Sequence, residues 1–325
     1  MQSAQGKRIW ENTLKAFRII HPGIQTTIQD QGRHGLMGYG IPPSGAMDQY
    51  SYRIGNLLLE NDENAASLET TLHGLIIEAV TPMTVAITGG NLTPYLNHAL
   101  APQWVPLAMA KGDQLHFKRR TEGFRAYLAV RGGLEVPEVL GSRSTFARGH
   151  IGAALKEQDV LNAKDVAAKK PLERGPFPKE YLPDFGRRGL IRVLMGPQDD
   201  YYTARGIDTF LTSPYRITAQ SDRMAYRTKG PPIEVAKGPG IITEPIPRGA
   251  IQVPGDGKPI ILLRDAQVTG GYAKIATVIS ADLDRLGQMM PGDMIHFQQI
   301  DRDKAIESLF ERKRRMEELI KTLRG

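Results

Sequence analysis

Short runs rich in Val, Ile and Leu recur along the chain at Leu75–Ala79, Thr84–Thr88, Ala126–Val130, Ile191–Met195, Ile260–Leu263 and Met294–Phe297. Each is too short to stand alone as a helix and is bounded by Gly, Pro or Asp, so the pattern predicts strands separated by turns. Helical spacing is rarer. Tyr50–Leu59 places Ile54, Leu57 and Leu58 on one face behind Asp48, a residue able to cap its start. Near the end, Ala305–Leu323 puts Ile306, Leu309, Phe310, Met316, Ile320 and Leu323 on one stripe among charges, the pattern of an amphipathic helix. That stripe needs a surface to pack on, either this chain's own or a partner's.

One pattern occurs twice. Arg18-Ile-Ile-His-Pro-Gly23 aligns with Arg192-Val-Leu-Met-Gly196 across a one-residue gap, and Ser44-Gly-Ala-Met47 followed by Arg53 aligns with Ser221-Asp-Arg-Met224 followed by Arg227. Gly74-Leu-Ile-Ile with Pro82 parallels Gly249-Ala-Ile-Gln with Pro259, and Gly112-Asp113-Gln-Leu-His116-Phe117 parallels Gly292-Asp293-Met-Ile-His296-Phe297. Four pairs in one order, at an offset of roughly 175–180 residues, mark a duplication. In each Gly-Asp pair the glycine supplies a positive φ and the aspartate closes an Asx-type bond, so both read as structural. Lys118 to Gly189 separates the copies, and its second half, Lys169 to Arg188, is rich in Pro, Gly and charge and reads as a surface linker.

Composition narrows the function. At 41% hydrophobic and 24% charged the chain is globular, not disordered or collagen-like. Without cysteine it can hold no disulfide, thiolate metal site or cysteine nucleophile. The net charge of +7 raises nucleic acid as a partner, but Lys118–Arg119–Arg120, Lys169–Lys170 and Arg187–Arg188 are short and scattered, and Arg312 to Arg315 is diluted by Glu311, Glu317 and Glu318. A solvated basic face is expected, with no nucleic acid partner. No run approaches the roughly 20 apolar residues of a membrane helix, and Lys7, Arg8, Glu11, Lys15 and Arg18 interrupt any signal core in Met1–Ile20, so a soluble, cytoplasmic protein is expected.

The sequence has no phosphate-binding G-x-x-x-x-G-K-[ST] loop, no H-E-x-x-H and no G-x-S-x-G, and its seven histidines lack metal-ligand spacing, so no metal is expected and any ATP would be bound on another polypeptide. What it offers is polar residues crowded into Gly-rich loops. Gln25 to Arg33 includes Gln29 and Asp30, and Gly40 to Asp48 includes Ser44 and Met47. The second copy supplies Ser221 to Met224, Gln252 and Asp265 to Tyr272. Glycine lets a ligand approach the backbone, and Gln, Thr, Ser and Arg suit amide, ureido and carboxylate groups. The competing reading is that Asp, Ser and Gly only build turns.

The runs T-T-x-Q-D-x-G-R-x-G from Thr26, P-x-S-G-A-M-D from Pro42, L-G-S-R-S-T from Leu140, S-D-R-M from Ser221, G-A-I-Q-V-P from Gly249 and T-G-G-Y from Thr269 resemble the KipA family. This family is also known as allophanate hydrolase subunit 2, the biotin-dependent carboxyltransferase-like family, or the C-type subunit of 5-oxoprolinase. The resemblance spans about residues 17 to 300. It implies a mainly β protein of two cyclophilin-like β-barrel domains from an internal duplication, at 17–185 and 186–300, plus the amphipathic helix at 301–325. It implies a KipI-like, B-type subunit and a third subunit as partners, forming with this chain an ATP-dependent 5-oxoprolinase that converts 5-oxo-L-proline to L-glutamate, with this chain inactive alone. Two alternatives come with the family: a carboxyltransferase component acting on urea or a related amide, with carboxybiotin on a partner, and a KipA-type regulator binding a kinase inhibitor. No cofactor is expected on this chain itself, since Ala108-Met-Ala-Lys111 imitates a biotin-attachment turn poorly. The chain departs from the family pattern at Thr243-Glu244-Pro245-Ile246, where S-E-G-V is usual, at Ala225, where Gly is usual, and at Ala273, where Pro is usual.

Urea, allophanate and 5-oxoproline all present a planar N–C=O group on which charge builds during reaction. Gln29, Gln252 and Gln267 are candidates to bond its amide edges, Arg33 or Arg223 to take a carboxylate in a fork, and Asp30 or Asp265 to accept a proton. Ser44, Met47, Asp48, Thr269, Gly270, Gly271 and Tyr272 complete the candidate substrate-binding set. The alternative makes Asp30 and Asp48 turn or cap residues and both arginines anchors of the glycine loops.

Overall fold

The apolar runs fold as strands. In the computed structural model, which describes residues 13–164, 172, 175–186 and 188–324, Leu75, Ile77 and Ala79 of one such run are buried while Ile76 and Glu78 between them are half-exposed. The chain divides into two compact units, residues up to Gly32 with Gln49–Pro183, and Arg33–Asp48 with the chain from Asp184 onward. Arg33–Asp48 thus belongs to the second unit although first-unit elements flank it in sequence.

The first unit holds two sheets. One runs in spatial order β11 (Leu134–Glu135), β12 (Val160–Lys164), β1 (Thr13–Pro22), β4 (Leu75–Ala79), β9 (Gln114–Phe117), β6 (Pro94–Leu96), β7 (Ala99–Leu100). The other runs β2 (Gln25–Gln29), β3 (Ser67–Thr71), β10 (Glu122–Val130), β5 (Met83–Asn91), β8 (Pro106–Met109). Phe17 and Ile19 from the first sheet and Leu68, Ile87 and Leu128 from the second share one apolar core. Helix α1 (Gln49–Leu58) is fixed to the second sheet by a 2.7 Å bond from Thr88 Oγ1 to the Ser51 carbonyl. Of the expected linker, 169–171, 173–174 and 187 lie outside the described residues; in its described part Phe177 packs on Trp104 and the Tyr181 carbonyl accepts the Tyr50 hydroxyl at 2.7 Å.

The second unit closes into a seven-stranded barrel, in the order β13 (Arg188–Met195), β20 (Lys274–Val278), β17 (Ala250–Gln252), β18 (Ile260–Leu262), β15 (Ala225–Lys229), β14 (Tyr215–Ile217), β21 (Met294–Gln299). Parallel pairing of β13 with β21 makes the closure. Phe210 of helix α2 (Ala204–Thr212) stacks on Phe297 with ring centres 4.5 Å apart. Strands β16 (Gly240–Pro245) and β19 (Thr269–Tyr272) leave the barrel as a separate two-stranded ribbon. After the short α3 (Leu283–Gly287), the terminal helix α4 (Arg302–Arg324) docks on its own unit. Arg192 Nη1 donates to Ser308 Oγ at 2.9 Å, Arg312 Nη1 donates to the Ser280 carbonyl at 2.9 Å, and Arg312 pairs with Asp284. Met316 and Leu319 are buried, whereas Ile306, Leu309 and Phe310 face solvent.

The duplication is visible in the turns. Asp113 Oδ2 accepts the Ala110 amide at 2.7 Å and Asp293 Oδ2 accepts the Met290 amide at 2.9 Å, each three residues back, and each aspartate follows a glycine at positive φ, 88° at Gly112 and 99° at Gly292. Both turns feed a strand of alternating burial, β9 and β21. Asp293→Ala is expected to lower stability by about 1 kcal/mol, the worth of one such side-chain to backbone bond. At Asp113 the Asn97 amide and the Ala110 N–H hold the carboxyl below the usual range. A depressed folded pKa gives stability that is complete above the ordinary Asp value of about 3.9 and lost as pH falls through the lower folded value. The urea midpoints of the wild type and Asp113→Ala should therefore differ at pH 7 and converge as pH is lowered below about 4.

Candidate functional site

In the first unit, Asp30 is 1% exposed at the end of β2. Its carboxylate accepts the Gly32 amide at 2.7 Å, Ser142 Oγ at 2.7 Å, the Arg143 amide at 2.6 Å and Ser144 Oγ. A carboxylate offers about four acceptor positions, and here four donors meet it. Gln29 beside it is fully buried, with Nε2 donating to Thr27 Oγ1 at 2.9 Å and to the Thr145 carbonyl at 3.2 Å. The pair thus joins the first glycine loop to Leu140–Thr145, and its polar groups point into protein. Next to this anchor lies a cleft of about 440 Å³ whose walls include Asn61, Asp62, Asn64, Gly133, Arg143 and Lys164. Two of its carboxylates are paired, Glu135 with Lys164 at 3.4 Å and Glu60 with Arg131 at 3.5 Å.

The second unit gathers candidates from both copies. Arg223 sets its fork on Asp265, Nε to Oδ2 at 2.9 Å and Nη2 to Oδ1 at 3.2 Å, and Nη2 also donates to the Gly45 carbonyl at 2.7 Å. Both side chains are nearly buried, at 6% and 11% exposure, so the pair satisfies itself. Ser44, at φ 53° and fully buried, donates its amide to the Arg264 carbonyl at 3.1 Å. Met47 lies in the barrel's apolar core, Asp48 accepts Gln288 Nε2 at 2.9 Å, and Arg33 is 1% exposed. At Gly287 the backbones approach closely, since a Cβ there would stand 2.6 Å from the Met47 carbonyl oxygen. Arg33–Asp48 is thereby moulded onto the barrel, and the carboxylate-binding fork expected of Arg223 is occupied by Asp265.

The remaining candidates sit around the ribbon. Gln267 is exposed, Thr269, Gly270, Gly271 and Tyr272 form β19, and Gln252 at 2% exposure donates Nε2 to the Tyr272 carbonyl at 3.3 Å. A Cβ on Gly270 would lie 2.5 Å from Ile246 Cδ1 and 3.0 Å from Gln252 Nε2, so the ends of those side chains would have to shift to admit one. Beside them is a group that the motifs alone do not single out. Lys274, 3% exposed, opens β20 and pairs through Nζ with Glu244 of β16. Gln198 Nε2 donates to the same Glu244 oxygen at 2.8 Å, and its Oε1 accepts the Lys274 amide at 3.2 Å. The Lys274 ammonium, then the Gln198 amide, hold the Glu244 carboxyl below the usual range. A lysine heading a run of buried strand residues was the available signal, and only the fold shows which carboxylate answers it.

Comparison with known proteins agrees with this architecture. The sequence profile of the family described as carboxyltransferase domain, subdomain A and B, matches residues 39–299. The C-type subunit of the Escherichia coli K12 5-oxoprolinase is 38% identical over 93% of this chain and 97% of its own length. Among solved structures, Kluyveromyces lactis urea carboxylase superposes with a TM-score of 0.83 at 32% identity over 94% of this chain, and TTHA0988 with a TM-score of 0.79 at 34% identity over 88%. The chain spans 30% of the former and 55% of the latter.

The Arg223–Asp265 pair permits a direct test of an anchoring role. Asp265→Ala should destabilise the protein by about 3 kcal/mol, because it strands a buried guanidinium, while the double variant Arg223→Met with Asp265→Leu should recover most of that loss. Urea unfolding of the two variants checks it; equal destabilisation by single and double changes would contradict the anchor.

Proposed function

Because this chain belongs to the family of carboxyltransferase domains, subdomain A and B, we propose that it is the C-type subunit of an ATP-dependent 5-oxoprolinase, the hydrolase complex that opens 5-oxo-L-proline to L-glutamate. The observation that carries this reading is the match to the E. coli protein, collinear over 93% of this chain and 97% of the relative. Its partners are a KipI-like, B-type subunit and a third subunit; ATP is bound on a partner, and this chain is inactive alone. Among the described residues no helix is long and apolar enough to cross a membrane. The reading assigns a cytoplasmic location.

The roles of the candidate residues follow from their surroundings. Gln267, Thr269, the backbone of Gly270 and Gly271, and Tyr272 form the surface that recognises the lactam amide, with the buried Gln252 beneath them on the Tyr272 carbonyl, and the amide's carbonyl carbon must be held for attack while charge builds on oxygen. Asp30 and Gln29 fix loops of the first unit, and Arg33, Ser44, Met47, Asp48, Arg223 and Asp265 fix loops of the second; in this reading Asp30 and Asp265 are spent on their donors and do not take the substrate proton. The second reading, carboxyl transfer from carboxybiotin on a partner to urea or a related amide, draws on the superposition with K. lactis urea carboxylase.

Mixing the purified chain with its B-type and third subunits and ATP should give glutamate from 5-oxoproline, with none formed when any component is omitted. Turnover of urea with a carboxybiotin-bearing partner instead would move the assignment to the second reading. Tight binding to the KipI-like protein without turnover in any mixture would make the chain a KipA-type regulator.

A further inference from the structure

The Lys274–Glu244 pair is unequal in a way that the anchoring pairs are not. Lys274 belongs to a barrel strand and its side chain is 4% exposed, whereas Glu244 rides on the ribbon with 37% of its side chain open to solvent. A buried ammonium must keep an anionic partner or take on the penalty of a lone charge, so any opening that carries Glu244 away from Lys274 calls for another carboxylate in its place. The ribbon is built loosely enough to allow it. Its register shifts between Gly240 and Glu244, its second strand contains Gly270 and Gly271, and Ile242, two residues before Glu244 on the same strand, is 93% exposed. Lys274 is also the cross-strand partner of Gln252. Such partners stand about 5 Å apart on one face of a sheet, so a carboxylate held by Lys274 and an amide held by Gln252 can belong to one small ring.

We infer that Lys274 is a substrate-binding residue that receives the carboxylate of a lactam acid, and that Glu244 fills that position when the substrate is absent. This rests on the 5-oxoprolinase reading for the identity of the acid. It also resolves where a substrate carboxylate goes, since Asp265 already fills the Arg223 fork. Exchange of one carboxylate for another keeps the buried ammonium compensated throughout, and the displaced Glu244 returns to water, where a carboxylate is at ease.

The test uses the reconstituted complex and two substrates, 5-oxoproline and 2-pyrrolidinone, the same lactam without its carboxylate. Lys274→Met should raise KM for 5-oxoproline at least about tenfold with kcat largely kept, and should erase the preference for 5-oxoproline over 2-pyrrolidinone; Lys274→Arg should restore part of that preference. Glu244→Gln, a weaker competitor for the ammonium, should lower KM for 5-oxoproline. Unchanged KM and unchanged preference in Lys274→Met would overturn the inference. If the wild-type complex does not turn over 5-oxoproline, the functional reading fails separately. Ligand-observed NMR on the isolated chain then decides: loss of 5-oxoproline and glutarate binding in Lys274→Met upholds the carboxylate site, and binding equal to wild type, or none in either protein, removes it. Matching thermal melting curves guard against misfolding.

Discussion

A carboxylate taken out of water has to be met by donors, and in this protein that requirement ties together loops that are far apart in sequence. Asp30 draws in Ser142, Arg143 and Ser144, more than a hundred residues downstream, and Asp265 draws in Arg223, whose guanidinium in turn holds the Gly45 carbonyl. Each loop alone is rich in glycine and has little apolar surface to bury, so it has no intrinsic reason to keep one shape. The buried ion or hydrogen-bond cluster supplies that reason, since releasing any one member strands a charge or a polar group in protein. The glycines then become useful, because a loop held from behind can present its backbone closely to a ligand in front.

The duplication explains both the regularity of the scaffold and the uneven distribution of chemistry upon it. The Gly-Asp turns at Asp113 and Asp293 keep the same bond in both units because each starts a strand that must enter the core in register. Elsewhere the copies have diverged. The second unit closes its strands into a barrel and sends out the β16–β19 ribbon, while the first arranges its strands as two sheets on one core. The second unit also takes up Arg33–Asp48, so Ser44 and Met47 from the first copy of a repeated motif and Arg223 from the second copy end in the same unit.

Division of labour among polar residues follows burial. Asp30 and Arg223 meet their partners inside the protein and hold shape, whereas Gln267, Tyr272 and the Glu244 side of the Lys274–Glu244 pair are open to solvent, which is why the proposed ligand contacts are drawn from them. For α4 the same principle separates two faces: Met316 and Leu319 are covered by protein, with Arg192 and Arg312 fastening the helix, while Phe310 remains in solvent.

By itself the sequence determined the apolar strands β4, β5, β10, β13, β18 and β21, the helices α1 and α4, the duplication and the turn role of Asp113 and Asp293, because these depend on periodicity and on bonds within a few residues, which the chain order displays directly. It also singled out Gln29, Asp30, Ser44, Arg223, Asp265 and Thr269–Tyr272 as candidates. Only the tertiary structure decided what those residues do. Whether a carboxylate is a base or an anchor depends on how many donors surround it, and the donors of Asp30 come from Ser142–Ser144 while the carboxylate facing Lys274 comes from a ribbon strand well before it in the chain. Burial and partnership of a charge are properties of the packed chain, set by which distant segments share a core, and no local pattern of residues encodes them.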